Sequence, residues 1–312
     1  MEQPPFDRRK LPAGAVIGRW PAPDGWAYRR MDWRQPPATG ARGSLLFAGG
    51  RGDFIEKYLE PCHHWHRRGW NVAAFDWRSQ GGSRGDIKGG HLDSFDPLVD
   101  DMAALIEDWR AGTPGPHAAV AHSMGGHVLL RTLAERRPRL DAAVLSAPMV
   151  AINTAPLPYW AAWWTASARC LFGMARQPAW KPRKAVAPVG SARQRVLTSC
   201  PQRYEDELWW WEREPGYHLG SPSWGWLAAA YRSSARLTPG ALAGIGVPVL
   251  LIGTERDRLV SPVAIRQAAS LIPGAELEMY REARHEILRE ADPIRLEALA
   301  RIDDFLDRHA PR

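Results

Sequence analysis

Cysteine is scarce in this chain of 312 residues, which contains only Cys62, Cys170 and Cys200. Their odd number and the lack of zinc-type spacing argue against a disulfide framework and a structural metal site. Long apolar runs are lacking too, because the best candidate, residues 155–174, contains an arginine and two prolines and is not expected to span a membrane. A charged run at residues 7–10 with no apolar stretch behind it predicts no secretory signal. We therefore expect a soluble cytoplasmic protein, and peripheral contact with a membrane stays an open alternative.

Acidic residues are outnumbered by basic ones, 34 to 41, which gives a net charge of +7 and a pI near 9.6. Most of the basic residues are arginines, and they are spread along the whole chain rather than clustered on one predicted face. This pattern does not indicate a nucleic-acid partner. The apolar fraction of 45% is enough for the core of one α/β domain with an insertion, or of two small domains.

Predicted strands and helices alternate in the first half of the chain. Apolar runs predict strands at residues 26–33, 44–48, 71–76, 117–121 and 142–145, and amphipathic stretches predict helices at residues 54–67, 97–109 and 128–136. We expect Asp53 to cap the first of these helices and Pro61 to kink it. An alternation of this kind predicts a mostly parallel sheet with helices on both faces.

The alternation stops between residues 149 and 240, where helical fragments are broken by proline and glycine. It resumes with strands at 247–253 and 276–280 and helices at 261–272 and 293–309. We therefore predict a core made of residues 1–148 and 241–312, with residues 149–240 inserted as a helical cap. Nine of the 16 tryptophans lie in this predicted cap.

The most informative motif is Ala121-His122-Ser123-Met124-Gly125, which joins a predicted strand to a predicted helix. A serine at such a sharp turn projects its Oγ above the sheet, where the first N–H groups of the helix also point. Small residues two positions before and after the serine are a steric requirement, since the turn brings the two backbones close together. The motif is short enough to occur by chance, and its strand and helix context favours a nucleophile.

Ser123 needs a base to accept its proton and a carboxylate to orient that base. Asp257 follows the predicted strand 247–253, and His285 follows the predicted strand 276–280. Both side chains are therefore expected at the same carboxyl edge of the sheet as Ser123.

Other residues near these positions have alternative interpretations. Glu255 is the nearest rival to Asp257, but the loop must first clear the end of the strand, which favours Asp257. His122 and His127 flank the serine closely and are expected to pack or to form hydrogen bonds. The run Cys62-His63-His64-Trp65-His66 lies within one predicted helix without a partner cluster, so we interpret it as a polar helix face and predict no metal site.

Two N–H groups are needed to stabilise the oxyanion that forms when the serine attacks an acyl carbon. One is expected to be the N–H of Met124, at the start of the helix. The second is expected from Arg51, because Gly49 and Gly50 allow the loop after strand 44–48 to approach closely.

Four sequence blocks resemble those of the lysophospholipase L2 and monoacylglycerol lipase type of α/β-hydrolase, a group also described as serine aminopeptidase S33-like. The blocks are residues 50–58 (GRGDFIEKY), 76–83 (DWRSQGGS), 121–126 (AHSMGG) and 284–288 (RHEIL), together with the loop that carries Asp257. The resemblance implies the α/β-hydrolase fold with an inserted cap, Ser123, Asp257 and His285 as catalytic triad, and Arg51 and Met124 as oxyanion donors. Relatives usually have glycine at position 121 and histidine at position 49, where this chain has Ala121 and Gly49.

The function that the resemblance implies is hydrolysis of monoacyl lipid esters, either lysophospholipids or monoacylglycerols, through an acyl-enzyme and without a cofactor. A small-ester carboxylesterase, an S33-type aminopeptidase and a non-catalytic ligand-binding protein stay open as alternatives. Substrate preference is expected to lie in the cap. Its aromatic residues either line an acyl channel, rest on a lipid surface or pack together (Trp160, Trp163, Trp164, Trp209, Trp210, Trp211, Trp224, Trp226). Its basic residues are candidates for contact with phosphate headgroups (Arg169, Arg176, Lys181, Arg183, Lys184).

Overall fold

Eight strands form one sheet in the computed structural model, which describes residues 6–85, 88–180 and 187–312. The strands are β1 (Ala15–Pro21), β2 (Ala27–Trp33), β3 (Gly43–Ala48), β4 (Trp70–Phe75), β5 (His117–His122), β6 (Ala142–Ser146), β7 (Val249–Thr254) and β8 (Glu276–Tyr280). Their order across the sheet is β1-β2-β4-β3-β5-β6-β7-β8. Only β1 with β2 and β2 with β4 pair antiparallel, and the remaining pairs are parallel. The predicted mostly parallel sheet is confirmed.

Helices connect the parallel strands and cover both faces of the sheet. They are α1 (Leu59–Arg67), α2 (Asp96–Ala111), α3 (Met124–Glu135), and, after the segment between β6 and β7, α9 (Pro262–Leu271) and α10 (Asp292–His309). Helix α1 connects β3 to its neighbour β4, and α3 connects β5 to its neighbour β6, so the two connections lead toward opposite edges of the sheet. Because such crossovers are right-handed, α1 and α3 lie on opposite faces. On the face of α1, His64 contacts Asp303 of α10 at 2.7 Å.

Five helices lie between β6 and β7, and no strand of the sheet interrupts them in the described part of this segment. They are α4 (Tyr159–Leu171), α5 (Ala192–Leu197), α6 (Pro201–Arg213), α7 (Trp224–Ser234) and α8 (Pro239–Ala243). The buried side of α4 packs against α7, where Ala166 meets Ala228 and Tyr231. None of the helices in the described ranges is long and apolar enough to cross a bilayer.

The central strands are buried along their whole length, which explains why they read as continuous apolar runs rather than as alternating patterns. The edge strand β1 was not predicted from the sequence. Most of its residues are exposed or half-buried, so the segment lacks the apolar run that marks the inner strands. It is defined instead by its antiparallel register with β2, in which Ala15 pairs with Trp33.

The prediction of one capped helix at residues 54–67 is wrong. A 3-10 helix, Ile55–Tyr58, comes first, and α1 begins only at Leu59. The Asp53 carboxylate caps neither, because it accepts hydrogen bonds from the Gly50 N–H and the Lys57 ammonium, both at 2.6 Å. Pro61 lies in the first turn of α1, where a missing N–H breaks no helical hydrogen bond, so it starts the helix rather than kinks it.

Ser123 joins β5 to α3 at a point where the backbone of α3 comes very close to the backbone at the end of β3. Ser123 has φ 52° and ψ −115°, a conformation that non-glycine residues rarely adopt. Two residues on, a Cβ on Gly125 would collide with the carbonyl oxygen of Gly49 and lie 2.8 Å from that of Ala48. The first turn of α3 thus packs directly on the carboxyl end of β3, and the loop after β3 is held beside Ser123.

Replacement of Gly125 by alanine is expected to push α3 away from β3. The expected result is a loss of about 1–3 kcal/mol in the free energy of unfolding, with a lower kcat because the loop after β3 moves from the serine. Thermal unfolding and hydrolysis of a short-chain p-nitrophenyl ester measure the two effects. Gly240→Ala is the matched control, since Gly240 also lies in a helix but has open space where the Cβ would be. A Gly125→Ala protein as stable and as active as the Gly240→Ala protein would contradict this account of the packing.

Candidate active site

Three side chains that are far apart in the sequence meet at the carboxyl edge of the sheet. Ser123 follows β5, Asp257 follows β7 and His285 follows β8. The Ser123 Oγ lies 2.8 Å from His285 Nε2, and His285 Nδ1 lies 2.7 Å from Asp257 Oδ2. The sequence thus identified three residues that the structure brings into one chain of hydrogen bonds.

The carboxylate of Asp257 is fixed from both sides. Its Oδ1 accepts hydrogen bonds from the N–H groups of Leu259 at 2.8 Å and Val260 at 3.0 Å, which leaves Oδ2 for His285. Burial alone would raise the pKa of Asp257, but the attraction of His285 and these hydrogen bonds lower it below the ordinary value. The rival acid Glu255 is exposed and pairs with Arg266.

The electrostatics of His285 suit a base held by a carboxylate. Burial favours the neutral ring, but the charge of Asp257 and its hydrogen bond outweigh burial and raise the pKa of His285 above 6.5. His122, whose ring centroid lies 4.9 Å from that of His285, is neutral because burial lowers its pKa to about 4. His122 Nδ1 lies 3.2 Å from the Ser146 carbonyl, and His127 Nε2 lies 2.5 Å from Ser233 Oγ. Both flanking histidines therefore pack and form hydrogen bonds away from the serine.

The backbone beside Ser123 offers the two predicted donors. Within the described residues, the N–H groups of Arg51 and Met124 donate to no protein acceptor, whereas the Gly50 N–H is held by Asp53. A Cβ on Gly50 would lie 2.9 Å from the Ser123 Cβ, which shows how closely this loop approaches the serine. Two unpaired N–H groups next to a serine hydroxyl are what an oxyanion requires.

The unusual Gly49 has a local explanation. A Cβ at this position would lie 2.8 Å from the Cβ of Asp53, so no larger residue fits while Asp53 occupies the loop. The Gly49 carbonyl accepts a hydrogen bond from Trp77 Nε1 at 2.6 Å. The histidine that is usual here in relatives is thus replaced by a glycine, and the loop is held by Asp53 and Trp77.

A buried group of charged side chains beneath the site was not identified from the sequence. The Lys57 ammonium lies 2.6 Å from both Asp53 and Glu286 and 3.3 Å from Glu207 of α6. Burial would lower the pKa of Lys57, but its carboxylate partners outweigh burial and raise it. Arg289 pairs with Glu286 and Glu207, and Arg193 pairs with Glu207 at 2.8 Å.

This charged group joins the loop that carries Arg51, the loop that carries His285 and helix α6. The pKa of Glu207 and that of Glu286 are both held at about 2, because their cationic partners outweigh the effect of burial. The hint in the sequence is the spacing of opposite charges, since Lys57 is four positions after Asp53 and Arg289 is three positions after Glu286.

A cavity of about 640 Å³ lies above Ser123 and His285. Most of its wall is apolar. Its aliphatic side chains include Met149 and Ile152 after β6, Val196 and Leu197 of α5, Leu219, Leu227 of α7, and Leu259 and Val260 beside Asp257. Its volume is within the range of small-molecule binding sites. In the described residues, no group of three or more histidine, cysteine or acidic side chains could hold a metal ion.

The tryptophans described between β6 and β7 differ in exposure and in contact with the cavity. Trp211 and Trp226 are buried and line the cavity, and Trp180 is exposed and lines it. Trp160, Trp163 and Trp164 are exposed and do not line it. Trp209, Trp210 and Trp224 are half-buried. Of the predicted headgroup contacts, Arg169 stacks over the Trp224 ring and Arg176 is exposed, while Lys181, Arg183 and Lys184 lie outside the described residues.

A serine, a histidine and a carboxylate joined by hydrogen bonds at this edge of a mostly parallel sheet are the arrangement of an α/β-hydrolase. The chain belongs to the serine aminopeptidase S33 family of hydrolases, which it matches over residues 39–292.

Known proteins resemble the chain over most of its length. It is 28% identical to a probable lysophospholipase L2 of Haemophilus influenzae, over 90% of this chain and 88% of that protein. It is 32% identical to lysophospholipase L2 of Escherichia coli, over 85% of this chain and 80% of that protein.

Solved structures of low sequence identity share the fold. A soluble variant of monoglyceride lipase from Saccharomyces cerevisiae superposes with a TM-score of 0.75 at 18% identity, over 98% of this chain and 99% of that one. The monoacylglycerol lipase of Paleococcus ferrophilus gives 0.69 at 20% identity, over 90% and 99%. The α/β-hydrolase fold is confirmed.

The pH dependence of hydrolysis is expected to report the raised pKa of His285. The imidazole accepts a proton only when it is neutral, so kcat/KM should fall as the pH drops, with a midpoint above pH 6.5. Asp257→Asn removes the charge that raises this pKa. We expect the midpoint to move to lower pH and kcat to drop by roughly four orders of magnitude. Rates on a neutral ester over pH 5 to 9, with product measured by chromatography, test this.

Glu255→Gln is the matched control, because it neutralises the neighbouring carboxylate that pairs with Arg266 at the surface. Its profile should overlay that of the unmodified protein. A larger effect from Glu255→Gln than from Asp257→Asn would show that the acid has been wrongly assigned.

Proposed function

We propose that this protein is a serine ester hydrolase that cleaves monoacyl lipids, either lysophospholipids or monoacylglycerols. The observation that carries the proposal is the chain of hydrogen bonds from Ser123 through His285 to Asp257, at the wall of a largely apolar cavity of about 640 Å³. Similarity to lysophospholipase L2 along most of the chain supports the same activity.

The geometry supports an acyl-enzyme mechanism. Ser123 Oγ attacks the ester carbonyl carbon while His285 Nε2 takes its proton, and Asp257 stabilises the imidazolium that forms. The carbonyl oxygen becomes an oxyanion that accepts hydrogen bonds from the N–H groups of Arg51 and Met124. The intermediate then releases the alcohol, which takes the proton from His285. Water, activated by His285 in the same way, cleaves the acyl-enzyme and frees the fatty acid.

Features of the cavity favour a lipid ester over a peptide with a free amino terminus. An aminopeptidase needs an unpaired carboxylate to bind the α-ammonium group. The described acidic residues of this cavity are both paired with cations, Asp53 with Lys57 and Glu286 with Lys57 and Arg289. The aliphatic walls instead suit one acyl chain, which gains free energy as it leaves water.

Active-site labelling tests the proposal. A fluorophosphonate probe is expected to label the protein, and Ser123→Ala is expected to abolish both the label and the hydrolysis of lysophosphatidylglycerol and 1-monoacylglycerol. Ser221→Ala is the matched control, since Ser221 lines the same cavity. It should retain labelling and turnover. Equal labelling of the Ser123→Ala protein, or turnover of amino-acyl anilides but of no ester, would rule out this function.

We also propose that helix α4 contacts a lipid surface. Its outward side carries Trp160, 65% exposed, and Trp164, 61% exposed, and it ends at Leu171 and Phe172, which are 85% and 77% exposed. The helix contains no acidic residue, and its one charged residue is Arg169. An aromatic, weakly cationic helix face is typical of segments that lie in the headgroup region of a bilayer. Ile152 before α4 and Leu227 on its partner α7 line the cavity, so this surface is close to the site.

The double variant Trp160→Ser with Trp164→Ser is expected to weaken binding to phosphatidylglycerol-containing vesicles by at least about tenfold, because two exposed indoles no longer leave water. Hydrolysis of a soluble short-chain ester should not change. Vesicle sedimentation measures the binding. Val263→Ser with Leu296→Ser, two exposed apolar residues of α9 and α10, serves as control. Equal loss of binding in both double variants would show that α4 is not the membrane contact.

A further inference from the structure

Arg51 carries a positive charge that no carboxylate neutralises within the described residues. Its Nη1 donates to the Gly220 carbonyl at 3.0 Å, and its Nη2 donates to the Gly89 carbonyl at 2.9 Å. Its Nε is buried without a hydrogen-bond partner. The guanidinium lies over the ring of Trp226, 5.3 Å from the centroid. Within the described ranges, every acceptor of the Arg51 guanidinium is therefore an uncharged group.

The other arginines around the site are paired with acids. Arg193 contacts Glu207 at 2.8 Å, Arg289 contacts Glu286, and Arg29 contacts Asp76 at 3.0 Å. Loss of solvent lowers the pKa of Arg51 to about 9, whereas the pKa values of those three arginines are raised, because the attraction of their carboxylates outweighs the effect of burial. Arg51 thus still carries a proton at neutral pH. Arg51 is half-buried, and a cation partly withdrawn from water without a counter-ion is costly, so an anionic ligand would relieve that cost.

The unpaired charge lies in the reaction cavity itself. Arg51 lines the cavity together with Trp226 and Ser123, and its backbone N–H is one of the two expected oxyanion donors. Each terminal nitrogen has a second N–H beyond the one given to a carbonyl. The backbone N–H and the guanidinium of one arginine are separated by four carbon atoms, Cα to Cδ. In a lysophospholipid, a three-carbon glycerol separates the acyl ester from the phosphate, which is a span of similar length.

We propose that the Arg51 guanidinium binds the phosphodiester of a lysophospholipid while the N–H of the same residue stabilises the oxyanion at its ester. Carbonyls of Gly220 and Gly89 hold the guanidinium in place without cancelling its charge. The inference rests on the proposed ester hydrolysis and narrows it, because it makes a phosphate-bearing monoacyl lipid the preferred substrate over the neutral monoacylglycerol.

The experiment compares Arg51→Gln and Arg51→Lys on three esters: 1-acyl-lysophosphatidylglycerol, 1-monoacylglycerol of the same chain length and p-nitrophenyl butyrate. All variants keep the backbone N–H of residue 51, so a loss caused by a shift of this loop would affect the three esters alike. We expect Arg51→Gln to lose about tenfold to a hundredfold more in kcat/KM on the lysophospholipid than on either neutral ester, mainly through KM, since hydrogen bonds to a charged group are lost only there. Arg51→Lys should fall in between, because it keeps the charge but not the planar fork.

A binding measurement separates this inference from the proposed function. Ether analogues, 1-O-alkyl-glycerophosphoglycerol and 1-O-alkylglycerol, contain no ester, so their Kd values are independent of turnover. Arg51→Gln should weaken only the phosphorylated ether. This result would support the anion site even if no ester were cleaved. Arg136→Gln is the control, because Arg136 is exposed, pairs with Asp100 and does not line the cavity, and it should change neither Kd.

Three results would overturn the inference. Equal losses on all three esters would show that Arg51 only braces the loops of Gly220 and Gly89. Weaker inhibition by oleate, with unchanged lysophospholipid kinetics, would show that the guanidinium binds the product carboxylate. Binding of inorganic phosphate that depends on Arg51, together with equal affinity of both ethers, would show a site for free phosphate and not for a headgroup.

Discussion

The contact on which the site depends is the one between the carboxyl end of β3 and the first turn of α3. It exists only because position 125 has no Cβ, so the carbonyls of Ala48 and Gly49 lie where a side chain would be. The same contact fixes two distances at once. It holds Ser123 in its strained turn, and it brings the loop with Arg51 beside the serine hydroxyl. One packing constraint thus positions both Ser123 and the loop that carries Arg51.

A second layer of the structure secures the loops from below. Three carboxylates and three cations are gathered under the cavity: Asp53, Glu207 and Glu286 with Lys57, Arg193 and Arg289. Buried ion pairs of this kind add little net stability, but removing one partner leaves an uncompensated charge. The group therefore acts mainly to specify geometry. Lys57 contacts the loop of Arg51, the neighbour of His285 and helix α6, so these three segments cannot shift independently.

The parts of the site that could be predicted from the sequence are those fixed by chain topology. Parallel strands end at one edge, so residues that follow β5, β7 and β8 must come together, and Ser123, Asp257 and His285 do so. The exposed edge strand β1 and the role of Asp53 could not be predicted, because each depends on hydrogen bonds to partners that only the folded structure reveals. Asp53 had the sequence signature of a helix cap, but its carboxylate accepts hydrogen bonds from the Gly50 N–H and from Lys57 instead.

The arginines are a second example of what the sequence alone could not predict. Composition reveals only that basic residues exceed acidic ones, 41 to 34, and gives no reason to distinguish one arginine from the next. Folding does distinguish them, because a carboxylate contacts each of Arg29, Arg193, Arg203 and Arg289. Among the residues that the structure describes, Arg51 contacts carbonyls and an indole ring and no carboxylate. We propose that a charge partly withdrawn from solvent and left without such a partner at the cavity reflects the charge of what the cavity binds.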